Sequence, residues 1–173
     1  MPGKHNAVAT TEARRQLRLG TTPVPLVCLL DPDGDVVRHL APLRRATRHA
    51  DWACYHSELW TTDHDGIEIG IVPCAVGAPY AVLVAEELAA SGCELLVSVT
   101  SAGTIASLGA PPYFVLIERA WRDEGTSYHY APPDAEVRPH PDAVAAIDAV
   151  LAEGGVPHDR GLTWTTDGFF RET

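Results

Sequence analysis

The chain has 173 residues, of which 46% are hydrophobic, and its formal net charge at pH 7 is −10. This length and hydrophobic content exclude a disordered chain and predict one globular domain with enough apolar side chains for a core. The negative charge argues against binding to nucleic acid or anionic membranes, and against binding free phosphate unless cations are concentrated locally.

The N-terminal segment, residues 1–22, carries basic residues but no long apolar run. We expect a mobile or partner-dependent tail here, followed by a domain over residues 23–173. No secretory signal is evident, and no run is long enough to span a membrane, so the sequence predicts a cytoplasmic protein.

The first half of the domain combines buried strands with polar turns. Residues 23–30 form an apolar run that predicts a buried strand, and a short helix is predicted over residues 35–45. Residues 51–71 predict a β-hairpin with its turn at residues 63–66, Asp-His-Asp-Gly.

Two helices are predicted with proline at their start and glycine at their end, over residues 79–91 and 140–155. Residues 93–103 predict a buried strand that runs into a loop of small residues. Further strands are predicted at residues 113–121 and 157–166, with a polar loop at 122–138. Alternating strands and helices predict a layered α/β domain.

The histidines and cysteines give no metal-binding or redox signal. The eight histidines show no metal-ligand spacing with acids, and the cysteines form no Cys-x-x-Cys pair. We therefore expect reduced thiols and no metal. The cysteines are Cys28, Cys54, Cys74 and Cys93.

Two separated segments carry the most specific pattern, RDEGTSYHYAPP at residues 122–133 and GLTWTTDGFFRET at residues 161–173. Upstream, Gly-Ala-Pro-Tyr at 77–80 precedes a predicted helix, and Thr-Ser-Ala-Gly at 100–103 follows a predicted strand. In this order the segments resemble the nucleoside phosphorylase family, on its uridine-phosphorylase-like side, from about residue 25 to residue 173.

The resemblance implies a layered αβα domain with a central mixed, partly barrel-like sheet. It also implies homo- or hetero-oligomers whose sites are completed by a neighbouring subunit. The activity implied is pentosyl transfer in nucleoside metabolism, in which inorganic phosphate reversibly cleaves the bond between ribose and base. No cofactor is implied, since phosphate is a co-substrate.

Cleavage places negative charge on the departing base, so hydrogen-bond donors are needed there. The resemblance implies a nucleoside or nucleobase site formed by Ser101, Ala102, Gly103, Arg122, Thr126, Ser127, Asp167 and Arg171. The alternative is that residues 122–124 are a solvated charge cluster and that Arg171-Glu172 is only a chain end. No residue is assigned as catalytic, and the choice between pyrimidine and purine stays open.

The phosphate site departs from the family pattern, in which arginines bind the oxygens in pairs. Asp35 and Tyr55 stand near two of the matching positions, and Ser98 stands at the third. Arginines at positions 38, 44, 45 and 48 could compensate, although a solvated helix face explains them as well. We expect a degenerate phosphate site, which makes phosphate doubtful as a co-substrate.

Family members continue beyond the segment that matches residues 161–173, with acidic residues that contact ribose and base. We therefore expect a C-terminally shortened, diverged homologue that is weak or inactive, a possible pseudoenzyme. Two alternatives stay open. One is a non-catalytic binding or assembly subunit that pairs with a complete paralogue, and the other is a phosphate-independent nucleosidase.

Overall fold

The computed structural model describes residues 4–105, 109–133, 136–168 and 170. The chain divides into two compact units, Met1–Ala102 and Gly103–Thr173, which we call the first and the second unit. Each contains a mixed sheet and at least one helix, so the predicted α/β class is confirmed. No helix among the described residues has the length and apolar character needed to cross a bilayer.

The first unit contains a five-stranded sheet in the order β2-β3-β4-β1-β5. Its elements are α1 (Lys4–Leu17), β1 (Val27–Asp31), α2 (Asp35–Leu40), β2 (Thr47–Arg48), β3 (Trp60–His64), β4 (Ile67–Pro73), α3 (Ala78–Ala90) and β5 (Leu95–Ser98). Strand β1 pairs in parallel with β4 and β5, whereas β3 is antiparallel to β2 and β4.

The second unit contains a three-stranded sheet in the order β7-β6-β8. Its elements are β6 (Phe114–Asp123), a 3₁₀ turn (Ser127–His129), β7 (Glu136–Val137), α4 (Pro141–Glu153) and β8 (His158–Thr166). Strand β8 is parallel to β6, and β7 is antiparallel to it. Both sheets are open within the described residues, so the predicted mixed sheet is confirmed in an open form.

The core of the first unit lies between its sheet and α3. Val84 and Leu88, one helical turn apart on α3, are fully buried together with Leu59 and with Val72 of β4. Burial of each such side chain contributes about 1.5–3 kcal/mol. Cys28 lies in the same cluster, and burial raises the pKa of its thiol to about 12, so the thiol is protonated at neutral pH. None of the four cysteines is in a disulfide.

The predicted hairpin is confirmed as β3 and β4. At its turn, Asp65 and Gly66 have φ angles of 52° and 81°, and the Gly66 amide donates to Asp63 Oδ1 at 3.1 Å. Two consecutive residues with positive φ match the right-handed twist of the strands on either side of a two-residue turn.

Strand β5 differs from the prediction in its burial. The run 93–103 was expected to form a buried strand that runs into a loop, and β5 covers Leu95–Ser98 within it, but Leu95 is 44% exposed. The buried assignment is wrong because β5 is an edge strand of the five-stranded sheet and pairs only with β1 in that sheet.

Two helices also differ from the sequence-based expectation. Helix α2 ends at Leu40 rather than near Arg45, since Pro42 has no backbone N–H with which to continue the helical hydrogen bonds. The segment expected to be a tail contains α1, which packs on α3, and Thr10 Oγ1 donates to Glu87 Oε2 at 3.1 Å. The domain boundary near residue 22 stays a prediction.

Candidate functional site

In the first unit, the candidate site lies where three parallel strands end. Strands β1, β4 and β5 run in the same direction, and Leu30 of β1 is paired with Ser98 of β5. The turn at residues 31–35 and the loop at 98–102 therefore leave the sheet at one edge. The carboxyl ends of parallel strands are the usual position of ligand sites in open α/β sheets.

The turn after β1 is fixed by a buried carboxylate. Asp31 is only 2% exposed, and its Oδ2 accepts hydrogen bonds from the Val36 and Val37 amides at 3.0 and 3.4 Å, which caps the start of α2. Its carbonyl accepts from the amides of Gly34 and Cys74, both at 2.9 Å. Asp31 thus orders the turn and the first residues of the helix.

Asp33, which sequence reasoning did not single out, bridges the turn and the loop. Its carboxylate accepts from the Ser101 amide at 2.5 Å and from Ser101 Oγ at 3.0 Å, and Thr100 Oγ1 lies 3.4 Å away. The hydrogen bonds from Ser101 lower the pKa of Asp33 below its ordinary value. Asp33 is therefore a carboxylate at neutral pH and holds Ser101, one of the predicted substrate-binding residues.

The three predicted phosphate-site positions lie in different surroundings. Asp35 is exposed and forms an ion pair with Arg38, whose Nη2 also donates to the Asp33 carbonyl at 2.8 Å. Ser98 ends β5 at the same sheet edge. Tyr55 instead contacts α1, where its hydroxyl donates to Gln16 Oε1 at 3.4 Å.

The four arginines at positions 38, 44, 45 and 48 are the cations that could replace the missing arginines of the phosphate site. Arg38 pairs with Asp35, and Arg48 pairs with Glu58 at 2.7 Å between side chains that are 63% and 42% exposed. Arg44 and Arg45 are exposed. This arrangement favours the solvated-surface interpretation of these cations.

In the second unit, Arg122 is the centre of the RDEGTSYHYAPP segment. It is 5% exposed, and its Nε donates to Ser127 Oγ at 2.9 Å. Its two terminal nitrogens donate to the carbonyls of Ala131 and Pro132, and its guanidinium lies 4.4 Å from the centre of the Tyr128 ring. Arg122 therefore stabilises the loop that follows it. The alternative that residues 122–124 are a solvated charge cluster is wrong for Arg122.

Glu124, also missed from the sequence, completes this loop. It is 9% exposed, and its Oε2 accepts from the Thr126 and Ser127 amides at 2.8 and 3.0 Å. Burial alone would raise the pKa of Glu124, but these hydrogen bonds and the charge of Arg122 lower it below its ordinary value. Both donors are backbone amides, which every residue except proline has, so the residue types at 126 and 127 gave no signal for this contact.

The end of β8 meets the same loop, since Asp123 of β6 is paired with Thr166 of β8. Asp167 Oδ2 accepts from the Gly125 amide at 2.9 Å. The structure thus brings together four of the predicted base-site residues, namely Arg122, Thr126, Ser127 and Asp167. Of the others, Ser101 and Ala102 end the first unit, Gly103 begins the second, and Arg171 lies outside the described residues.

A metal centre has no support in the described ranges, where no group of three or more His, Cys, Asp or Glu side chains is arranged to hold an ion. An open cavity of about 410 Å³ lies in the first unit beside Trp52 and the Arg48–Glu58 pair. It is lined by none of the predicted site residues.

A family model described as the phosphorylase superfamily matches residues 27–173. Among curated proteins, the chain is similar to a uridine phosphorylase from Thermococcus kodakarensis, at 29% identity over 170 residues, covering 92% of this chain and 58% of that protein. Among solved structures, it resembles a uridine phosphorylase from Vibrio fischeri ES114 with a TM-score of 0.75 and 21% identity, covering 89% of this chain and 64% of that one. The chain thus spans about three-fifths of the length of these relatives.

Proposed function

Because the chain belongs to the phosphorylase superfamily, we propose that it is a uridine-phosphorylase-like homologue that binds a nucleoside or nucleobase and has weak or no phosphorolytic activity. Its reaction class by descent is pentosyl transfer at the bond between ribose and base. Phosphate is the co-substrate of such enzymes, and no cofactor takes part. We expect the chain to act in the cytoplasm as part of a homo- or hetero-oligomer.

One observation carries the proposal of weak phosphorolysis: the edge where phosphate is expected is acidic. The carboxylate of Asp33 occupies the donors of Ser101, and Asp35 stands near the position of a family arginine. Like charges at close range repel each other, and solvent screens the repulsion only in part. A phosphate dianion would meet this repulsion where the family pattern supplies attraction.

The loop of the second unit supports binding on the base side. Arg122 and Glu124 are both buried, and between them they fix the backbone at Thr126 and Ser127. Side chains locked by internal hydrogen bonds hold a binding loop in one conformation, which lowers the cost of ordering it when a ligand binds. We propose that Arg122 positions this loop rather than donating to the base directly.

An assay of uracil release from uridine tests the proposed function. We expect the 173-residue chain to release uracil with phosphate present at a rate at least about a thousandfold below ordinary enzyme turnover, which is typically 1–10³ s⁻¹. Binding of uridine or uracil, measured by calorimetry, is expected to persist. Robust phosphate-dependent turnover by the purified chain would contradict the proposal of weak phosphorolysis, and loss of all nucleoside and nucleobase binding would contradict the proposed binding function.

A phosphate-independent nucleosidase is the second candidate, and the same acidic edge favours it. Water is neutral and is not repelled by the carboxylates of Asp33 and Asp35. The sugar becomes cationic as the bond to the base breaks, and nearby carboxylates stabilise that positive charge. Uracil release at the same rate with and without phosphate would select this candidate over the first.

A further inference from the structure

Three hydrogen-bond donors of the loop at residues 98–102 lie around one carboxylate. The Ser101 amide and hydroxyl contact the two oxygens of Asp33 at 2.5 and 3.0 Å, and Thr100 Oγ1 is 3.4 Å from one of them. The contact joins residues 68 positions apart in the chain. It is therefore a tertiary contact and not a local turn.

This set of donors has the chemistry of an oxyanion site. A backbone amide and hydroxyl groups that converge on one point bind carboxylate and phosphate oxygens alike, and hydrogen bonds to an ionised acceptor are about twice as strong as neutral ones. The donors are present in this chain, but a side chain of the chain itself occupies them.

We propose that Asp33 is a built-in anionic occupant that excludes inorganic phosphate from the Ser101 donors, and that removing its carboxylate opens a site for a tetrahedral oxyanion. The inference deepens the proposed function and rests on it only for the choice of phosphate as the ion. It identifies Asp33 as a residue that determines specificity against anionic co-substrates.

The surrounding charges strengthen this exclusion at neutral pH. Asp33 has a lowered pKa and stays ionised, while Asp35 adds a second negative charge to the same turn. Arg38 is the cation nearest in sequence, and its guanidinium pairs with Asp35 and the Asp33 carbonyl. An incoming phosphate must therefore displace the hydrogen-bonded Asp33 carboxylate from Ser101. In return it gains no unpaired cation in this turn, since Arg38 is already paired with Asp35.

Calorimetric titration with inorganic phosphate at neutral pH tests the proposal without any nucleoside. We expect Asp33→Ala to bind phosphate at least about tenfold more tightly than the wild-type chain, a difference of about 1.4 kcal/mol. Asp33→Asn is expected to show a smaller gain, since its amide oxygen can still accept from Ser101. The charge-matched control is Asp65→Asn in the hairpin turn, where φ is 52° and asparagine is well tolerated.

A double variant assigns the gain to the proposed donors. Adding Ser101→Ala to Asp33→Ala should reduce the phosphate affinity back toward that of the wild-type chain. Circular dichroism verifies folding, and the Ser101 amide resonance should respond to phosphate in Asp33→Asn but not in the wild type. The proposal is overturned if wild-type chain and Asp33→Ala bind phosphate equally, or if Asp65→Asn gains as much as Asp33→Asn. Such a result leaves the proposed function intact if uridine still binds and the wild-type chain still releases uracil only weakly in the presence of phosphate.

Discussion

Replacing Arg122 with alanine is expected to destabilise the second unit by about 3 kcal/mol, because it leaves buried acceptors without their charged donor. The side chain is 5% exposed and donates to Ser127 Oγ and to the carbonyls of Ala131 and Pro132. It also stacks on Tyr128. Hydrogen exchange should show faster exchange at the Thr126 and Ser127 amides, which depend on the same loop.

Two further variants show whether this effect belongs to the buried geometry of Arg122. Arg138→Ala removes an arginine side chain from an exposed position in the same unit, where Arg138 pairs with Glu136 at 3.6 Å. This control should change the free energy of unfolding by less than about 0.5 kcal/mol. Arg122→Lys keeps the charge but not the planar fork of donors, so an intermediate loss is expected. Equal effects of Arg122→Ala and Arg138→Ala would contradict a loop-organising role.

Gly34→Ala is expected to cost about 2–3 kcal/mol, because backbone strain and steric overlap act together at this turn. Gly34 has a φ of +73°, and a Cβ atom there would lie 2.8 Å from Cys74 Sγ. Since Gly34 directly follows Asp33, the same change should disturb the contact between Asp33 and Ser101. Urea unfolding measures the stability loss.

A pair of comparisons separates the two contributions at Gly34. Gly66→Ala, at a φ of +81° with nothing within 4 Å of the added Cβ, should show only the conformational cost of about 1–2 kcal/mol. Gly34→Ala made in a Cys74→Ala background should cost about the same as Gly66→Ala. If Gly34→Ala costs no more than Gly66→Ala in the wild-type background, the proposed overlap with Cys74 is absent.

Local sequence signals predicted the parts of the fold that depend on neighbouring residues. The Asp-His-Asp-Gly turn gave the β3–β4 hairpin, and Pro79 and Pro141 lie in the first turns of α3 and α4. These elements are set by backbone restrictions within a few residues. The exposure of β5 was not predicted, because it depends on the position of that strand in the sheet order.

The candidate site was predictable only in part, for the same reason. Motif resemblance singled out Arg122, Thr126, Ser127 and Asp167, and the structure joins them in one loop network in the second unit, while their role in binding stays a prediction. The contact between Asp33 and Ser101 lies beyond any local pattern, since the two residues are separated by 68 positions and meet only when β1 and β5 pair. The role of Arg122 within its loop likewise depends on burial that residue type alone does not reveal.

A crystal structure determined in the presence of inorganic phosphate tests the central claim most directly, namely that the acidic turn replaces the expected phosphate site. We predict that Asp33 still accepts from the Ser101 amide and that no phosphate lies at the loop of residues 98–102. A phosphate ion held at that loop by guanidinium groups of this same chain would contradict the account.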